Sequence, residues 1–160
     1  MGACVDRYGG SGSWYYSTLA GLKRAPGSRS WGDLIIAPPV PGSLSNLTWA
    51  NASIDTPMGR VGSAWSIATD GGAATAPMRQ YSLRVTVPPN SRARIVVPVS
   101  AAAATVREGG EVVWAGGSFV EAGATAVGGI KGARADSDAT TPGVHFEVGG
   151  GAYSFVAEFG

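Results

Sequence analysis

The sequence predicts an all-β fold: an antiparallel β-sandwich or jelly roll of about eight or nine strands, preceded by one short N-terminal α-helix. Three observations carry this. From Trp31 onward the apolar residues recur with a period of two, as in half-buried strands. The 25 glycines and 10 prolines suit short strands joined by many tight turns. No second helical pattern follows, so parallel strands joined by crossover helices are not expected.

The first thirty residues stand apart. Ser13 to Ala25 sets Trp14, Leu19 and Leu22 at helical spacing, with Ser11 or Ser13 as cap. Lys23 and Arg24 fall in the last turn, opposing the helix dipole, and Pro26 and Gly27 stop it. A helix of roughly three turns is marginal in water, so it must pack on something. The domain division expected is 1–30 for this helical segment and 31–160 for the sandwich.

The strands follow in order. Asp33 to Pro38 is the first, and Leu47 to Asp55 the second. Pro57 and Gly59 make a hairpin turn into Arg60 to Thr69. After a loop, Gln80 to Val87 alternates Tyr81, Leu83, Val85 and Val87 against Ser82, Arg84 and Thr86. Pro88, Pro89 and Asn90 turn the chain back into Arg92 to Val99. Ala104 to Arg107 and Glu111 to Ala115 flank a Glu-Gly-Gly turn, and 116–141 reads as a long surface loop with one short strand near Phe119. A last hairpin joins Val144 to Val148 with Ala152 to Phe159. A domain of this size buries about two-thirds of its extended-chain surface. Each large apolar side chain so buried contributes about 1.5–3 kcal/mol.

Composition narrows the function classes. The 12 basic residues are scattered and the net charge is +1, so no phosphate-neutralising face is expected and nucleic acid is not an expected partner. No apolar run is long enough to span a membrane. The single cysteine, Cys4, allows no intrachain disulfide, and the opening residues lack the layout of a signal peptide. A myristoylation reading fails because Asp6 stands where Ser or Thr is needed. Localisation is left open.

Few residues offer chemistry. His145 and Glu147 share one face of a strand about 7 Å apart, and are read as two solvated residues on an outer face. Asp55, Asp70, Glu108, Asp136 and Asp138 are read as turn or loop residues, and no pair is spaced to converge as glycoside hydrolysis requires. The glycine-rich turns at Glu108 and Gly149 open no helix and cannot cradle phosphate. No metal-ligand spacing occurs and no cofactor is implied. Trp49, Trp65 and Trp114 lie on strands; they are the candidate carbohydrate-binding residues, against the ordinary fate of core packing. Asn46 and Asn51 begin glycosylation acceptor patterns.

The stretch from Ile35 to Ile67 resembles the start of the C-terminal domain of bacterial-type α-L-rhamnosidases. The matching residues are Ile36, Pro38, Leu47 to Ala50, Thr56, Pro57, Gly59 and Trp65. The segments Ser82 to Val99, Val106 to Gly117 and Val148 to Phe155 also fit. Near the start, Tyr8, Gly9, Gly12, Trp14, Tyr16, Leu19, Ala20 and Gly21 resemble the last helix of that family's α/α-barrel catalytic domain. The resemblance implies an inverting glycoside hydrolase parent whose general acid and base lie in the barrel. Cys4, Val5 and Asp6 stand where the family has Asn-His-Tyr, and Ser13 where it has an acid, so no catalytic residue carries over. The expected role is therefore a non-catalytic accessory domain that packs against a catalytic barrel. The alternative is a stand-alone carbohydrate-binding module for rhamnose-containing glycans. A weaker third reading is self-association through Trp14, Tyr15 and Leu19.

Overall fold

A computed structural model describes residues 9–28, 30–40, 43, 47–69, 79–99, 104–136 and 142–159. Cys4, Asn46, Asp70, Asp138 and the loop after Thr69 lie outside the described residues. The described residues form two packed sheets. The five-stranded sheet contains β1 (Leu22–Arg24), β2 (Asp33–Ile36), β6 (Arg92–Val97), β11 (Gly143–Val148) and β10 (Ile130–Asp136), in that spatial order. The seven-stranded sheet runs β3 (Trp49–Thr56), β4 (Gly59–Thr69), β5 (Arg79–Val87), β12 (Gly151–Phe159), β7 (Thr105–Glu108), β8 (Glu111–Ala115) and β9 (Ser118–Phe119). The all-β sandwich is as the period-two pattern predicts, with twelve strands among the described residues.

Alternation sorts each strand into a core face and an outer face. Val61, Ser63 and Trp65 of β4 meet Leu83, Val85 and Val87 of β5 inside the sandwich. Ile95 and Val97 face them from β6, and Phe146 from β11. Phe146 and Phe155 stack across the two layers at 4.8 Å between ring centroids. That contact ties the sheets together at the centre of the core.

Several expectations need correction. The N-terminal helix is shorter than its periodicity suggests: α1 (Gly9–Trp14) passes into a π-helical turn, Tyr15–Leu19, and ends. Gly21 takes φ +72°, and its carbonyl accepts the Ala37 amide at 2.9 Å. The chain is thereby turned into β1, so Lys23 and Arg24 sit on a strand that pairs with β2. A glycine in the left-handed conformation just past a helix is the usual stop signal.

The region 116–141 is likewise more ordered than a surface loop. It holds β9, a second helix α2 (Glu121–Val127) and β10 among its described residues. Small residues weaken its periodicity but let α2 press close: Gly123 abuts the Val112 backbone.

Two predicted hairpins are corners instead. β5 and β6 belong to different sheets, as do β11 and β12. Asn90, at φ 59°, turns the first corner, where the Ser91 amide donates to the Pro88 carbonyl. Gly150 packs on Pro88 and Pro89, so the two corners meet. The five-stranded sheet also contains a parallel pair, β2 with β6. The chain between them passes through the opposite sheet, which does the work otherwise given to a crossover helix.

Candidate functional site

The π-helical turn packs on β1 and β3 at the edge of the sandwich, where β1 also meets β4. Trp65 Nε1 donates to the Leu19 carbonyl at 2.7 Å. Its ring stacks on Tyr81, with centroids 6.1 Å apart. Ala20 and Leu22 are buried against this edge, and Leu19 is half-buried. Trp14, Tyr15 and Tyr16 are 46%, 57% and 41% exposed, respectively, and the rings of Trp14 and Tyr15 meet edge-on. The helical segment thus shows three aromatic rings outward while its last turn is anchored to the core.

Of the three candidate tryptophans, the structure separates one from two. Trp65 and Trp114 are core residues, at 4% and 2% exposure, and neither offers a ring face to solvent. Trp49 is 66% exposed at the start of edge strand β3. The register makes two adjacent cross-strand rows on the outer face: Trp49, Ser66 and Ser82, then Asn51, Ala64 and Arg84. Together with Ala50 and Trp65, which pair between the two rows, these residues line a cleft of about 300 Å³. Small Ala64 and Ser66 of β4 form its floor, between Trp49 and Asn51 of β3 on one side and Ser82 and Arg84 of β5 on the other. The alternation put Ser82 and Arg84 on one face, but only the β3–β4–β5 register shows that they stand opposite Trp49.

A larger depression of about 440 Å³ lies on the outer face of the five-stranded sheet. Arg92, Arg94 and Lys131 face Asp33 and Glu147 there, and Arg92 pairs with Asp33 at 3.2 Å. Its charges largely compensate, and it has no aromatic wall.

The ionisable candidates are placed differently from expectation. His145 is 2% exposed, not solvated, because β11 is covered on both faces where His145 lies beside Val96. Its Nδ1 lies 3.7 Å from the Asp136 carboxylate, which Arg134 approaches at 3.9 Å. Glu147 is exposed and does not join this group. Asp55 is on β3, not in a turn, and pairs with Arg60 across the hairpin at 2.8 Å. That guanidinium, by hydrogen bond and charge, holds the Asp55 carboxyl below its ordinary range. Glu108 ends β7 with its side chain buried, accepting the Ser154 amide at 3.1 Å. Asp136 closes β10. Among the described residues no three His, Cys, Asp or Glu side chains gather as metal ligands.

Fold and surface define a class: a β-sandwich module with an anchored aromatic helical edge and an aromatic cleft on one sheet. A family model described as the bacterial alpha-L-rhamnosidase C-terminal domain matches residues 21–111, more than half of the chain. The chain belongs to that family. An alpha-L-rhamnosidase from Formosa agariphila is 35% identical over 91 residues, which is 57% of this chain and 8% of that protein. The solved α-L-rhamnosidase from Dictyoglumus thermophilum superposes with a TM-score of 0.62 at 23% identity, over 92% of this chain and 13% of that one. The Streptomyces avermitilis α-L-rhamnosidase, solved with L-rhamnose, gives a TM-score of 0.59 at 25% identity, over 93% of this chain and 11% of that one. The chain thus spans a small fraction of the length of each relative.

Proposed function

We propose that the chain is a non-catalytic accessory domain of an α-L-rhamnosidase-like glycoside hydrolase, packing against an α/α-barrel catalytic domain through its helical edge. One observation carries this reading. The helical segment is fixed to the sandwich by the Trp65–Leu19 hydrogen bond, yet it turns Trp14, Tyr15 and Tyr16 to solvent. Exposed contiguous aromatics mark interaction surfaces in soluble domains. The same segment resembles the end of the family's catalytic barrel. On this reading residues 1–30 complete the barrel and 31–160 form the sandwich, with Leu22–Arg24 stitching one to the other. Hydrolysis of α-L-rhamnosides would belong to the parent activity, with its acid and base outside this chain.

The test is a chimera. The Streptomyces avermitilis enzyme is truncated before its C-terminal domain, and this chain is grafted in its place. The graft should raise the melting temperature and soluble yield above those of the truncated enzyme, and Ser at both Trp14 and Tyr15 should cancel the gain. A graft no better than the truncation would refute packing. Hydrolysis of an aryl α-L-rhamnoside by the chain alone at an enzyme-like rate would refute the non-catalytic role.

A further inference from the structure

We propose that the Trp49 cleft binds a single neutral pyranose ring, giving this accessory domain a sugar subsite separate from its packing edge. The outer face of β3, β4 and β5 supplies both walls and the floor. The walls stand two strand spacings apart, about 9.5 Å at the backbone. The volume, about 300 Å³, is at the small end of ligand sites and suits one ring rather than a chain of them.

The lining matches the two sides of a sugar. Trp49, 66% exposed, offers a flat apolar face at the rim, which stacks on the C–H face of a pyranose. Ser66, Ser82 and Asn51 supply hydroxyl and amide groups that both donate and accept, as vicinal hydroxyls do. Arg84 adds a planar fork of donors, and among the described residues no carboxylate forms an ion pair with it. Ala64 leaves the floor low enough for a ring to reach these groups. A purely structural outer face has no need of a bulky aromatic at its edge beside the small residues Ala64, Ser66 and Ser82. The helical edge is a different surface: Trp65, which anchors it, points into the core from the opposite face of β4.

The subsite rests on the proposed family role only for the choice of probe. The full chain is titrated with methyl α-L-rhamnopyranoside, and with methyl β-D-glucopyranoside for comparison, by tryptophan fluorescence and amide chemical shifts. Saturable binding with a Kd on the order of 1 mM is expected, as suits one stacked ring with a few hydrogen bonds. The shifts should centre on Trp49, Ser66, Ser82 and Arg84. Trp49→Ala and the cleft-filling Ala64→Tyr should each weaken binding at least about tenfold, the equivalent of about 1.4 kcal/mol. Trp14→Ala should leave it unchanged. Folding of each variant is checked by the dispersion of its amide spectrum. Absence of saturation with both sugars, or equal binding by folded Trp49→Ala, would overturn the subsite. The chimera reads packing independently: Trp49→Ala should not alter its melting temperature, so failure of one idea is distinguishable from failure of the other.

Discussion

Tyr81 stacks on Trp65 in the core, and its buried hydroxyl has no hydrogen-bond partner among the described residues. Leaving such a group unpaired costs about 1–3 kcal/mol. Tyr81→Phe is therefore expected to preserve or raise the melting temperature, by about 2–4 °C for each kcal/mol regained. Burial also pushes the Tyr81 phenol far above its ordinary value, and Tyr153 moves the same way through burial and the nearby Glu108 carboxylate. In the unfolded chain both ionise near pH 10. Above that pH the unfolded state binds fewer protons than the folded state, so the stability present below pH 10 falls as pH rises. Urea midpoints measured up a pH series above 9 should drop, and Tyr81→Phe should flatten that drop without abolishing it. Alternation sets Tyr81 on one face with Leu83, Val85 and Val87, and the apolar character of that row marks it as the core face. His145 was not legible in that way: alternation assigns it a face, but cannot say that this face is covered.

At the scale of elements, the informative failures are the two corners. Val144 to Val148 and Ala152 to Phe159 both alternate, and alternation is the same whether two strands pair edge to edge or face each other across a core. The glycine turn at 149–151 signals reversal of direction and nothing about which sheet receives the strand. The N-terminal helix is present, and it is its end that the periodicity misplaces, for a related reason. Leu22 fits both a helical and a strand period, and the deciding signal was Gly21. α2 was missed because a helix of Gly, Ala and Thr has little apolar contrast, although those small residues are what let it seat on β8. A Cβ at Gly123 would meet the Val112 carbonyl, backbone that cannot swing away. Gly123→Ala is thus expected to destabilise by about 1–3 kcal/mol despite favouring helix intrinsically. A lowered urea midpoint, with faster amide exchange confined first to α2 and β8, would show it.

Over the whole molecule, fold class and family were legible because turn residues and motif blocks are local. The candidate site was not, since it is assembled by register: Trp49 is conspicuous in the sequence, but Ser66, Ser82 and Arg84 acquire meaning only when three strands are laid side by side. Burial then divides three similar-looking tryptophans into two that hold the core and one that faces water. The exposed aromatic edge has a further whole-molecule consequence. In the absence of a catalytic domain to cover it, the purified chain should self-associate at tens of micromolar through Trp14 and Tyr15. Sedimentation velocity across a concentration series should show dimers that disappear when both are changed to Ser; a wild-type monomer throughout would contradict this.

The position of β12 sets the order of events during synthesis. It is the last of the twelve described strands to leave the ribosome, yet it lies between β5 and β7, paired with both. Until it emerges, β3–β4–β5 and β7–β8–β9 are two three-stranded fragments, each with a bare edge of unpaired amides and carbonyls. The sheet cannot close progressively as it is translated. The nascent chain must carry two sticky borders until its final strand slides between them, so chaperone protection matters most in the interval just before Gly151 appears.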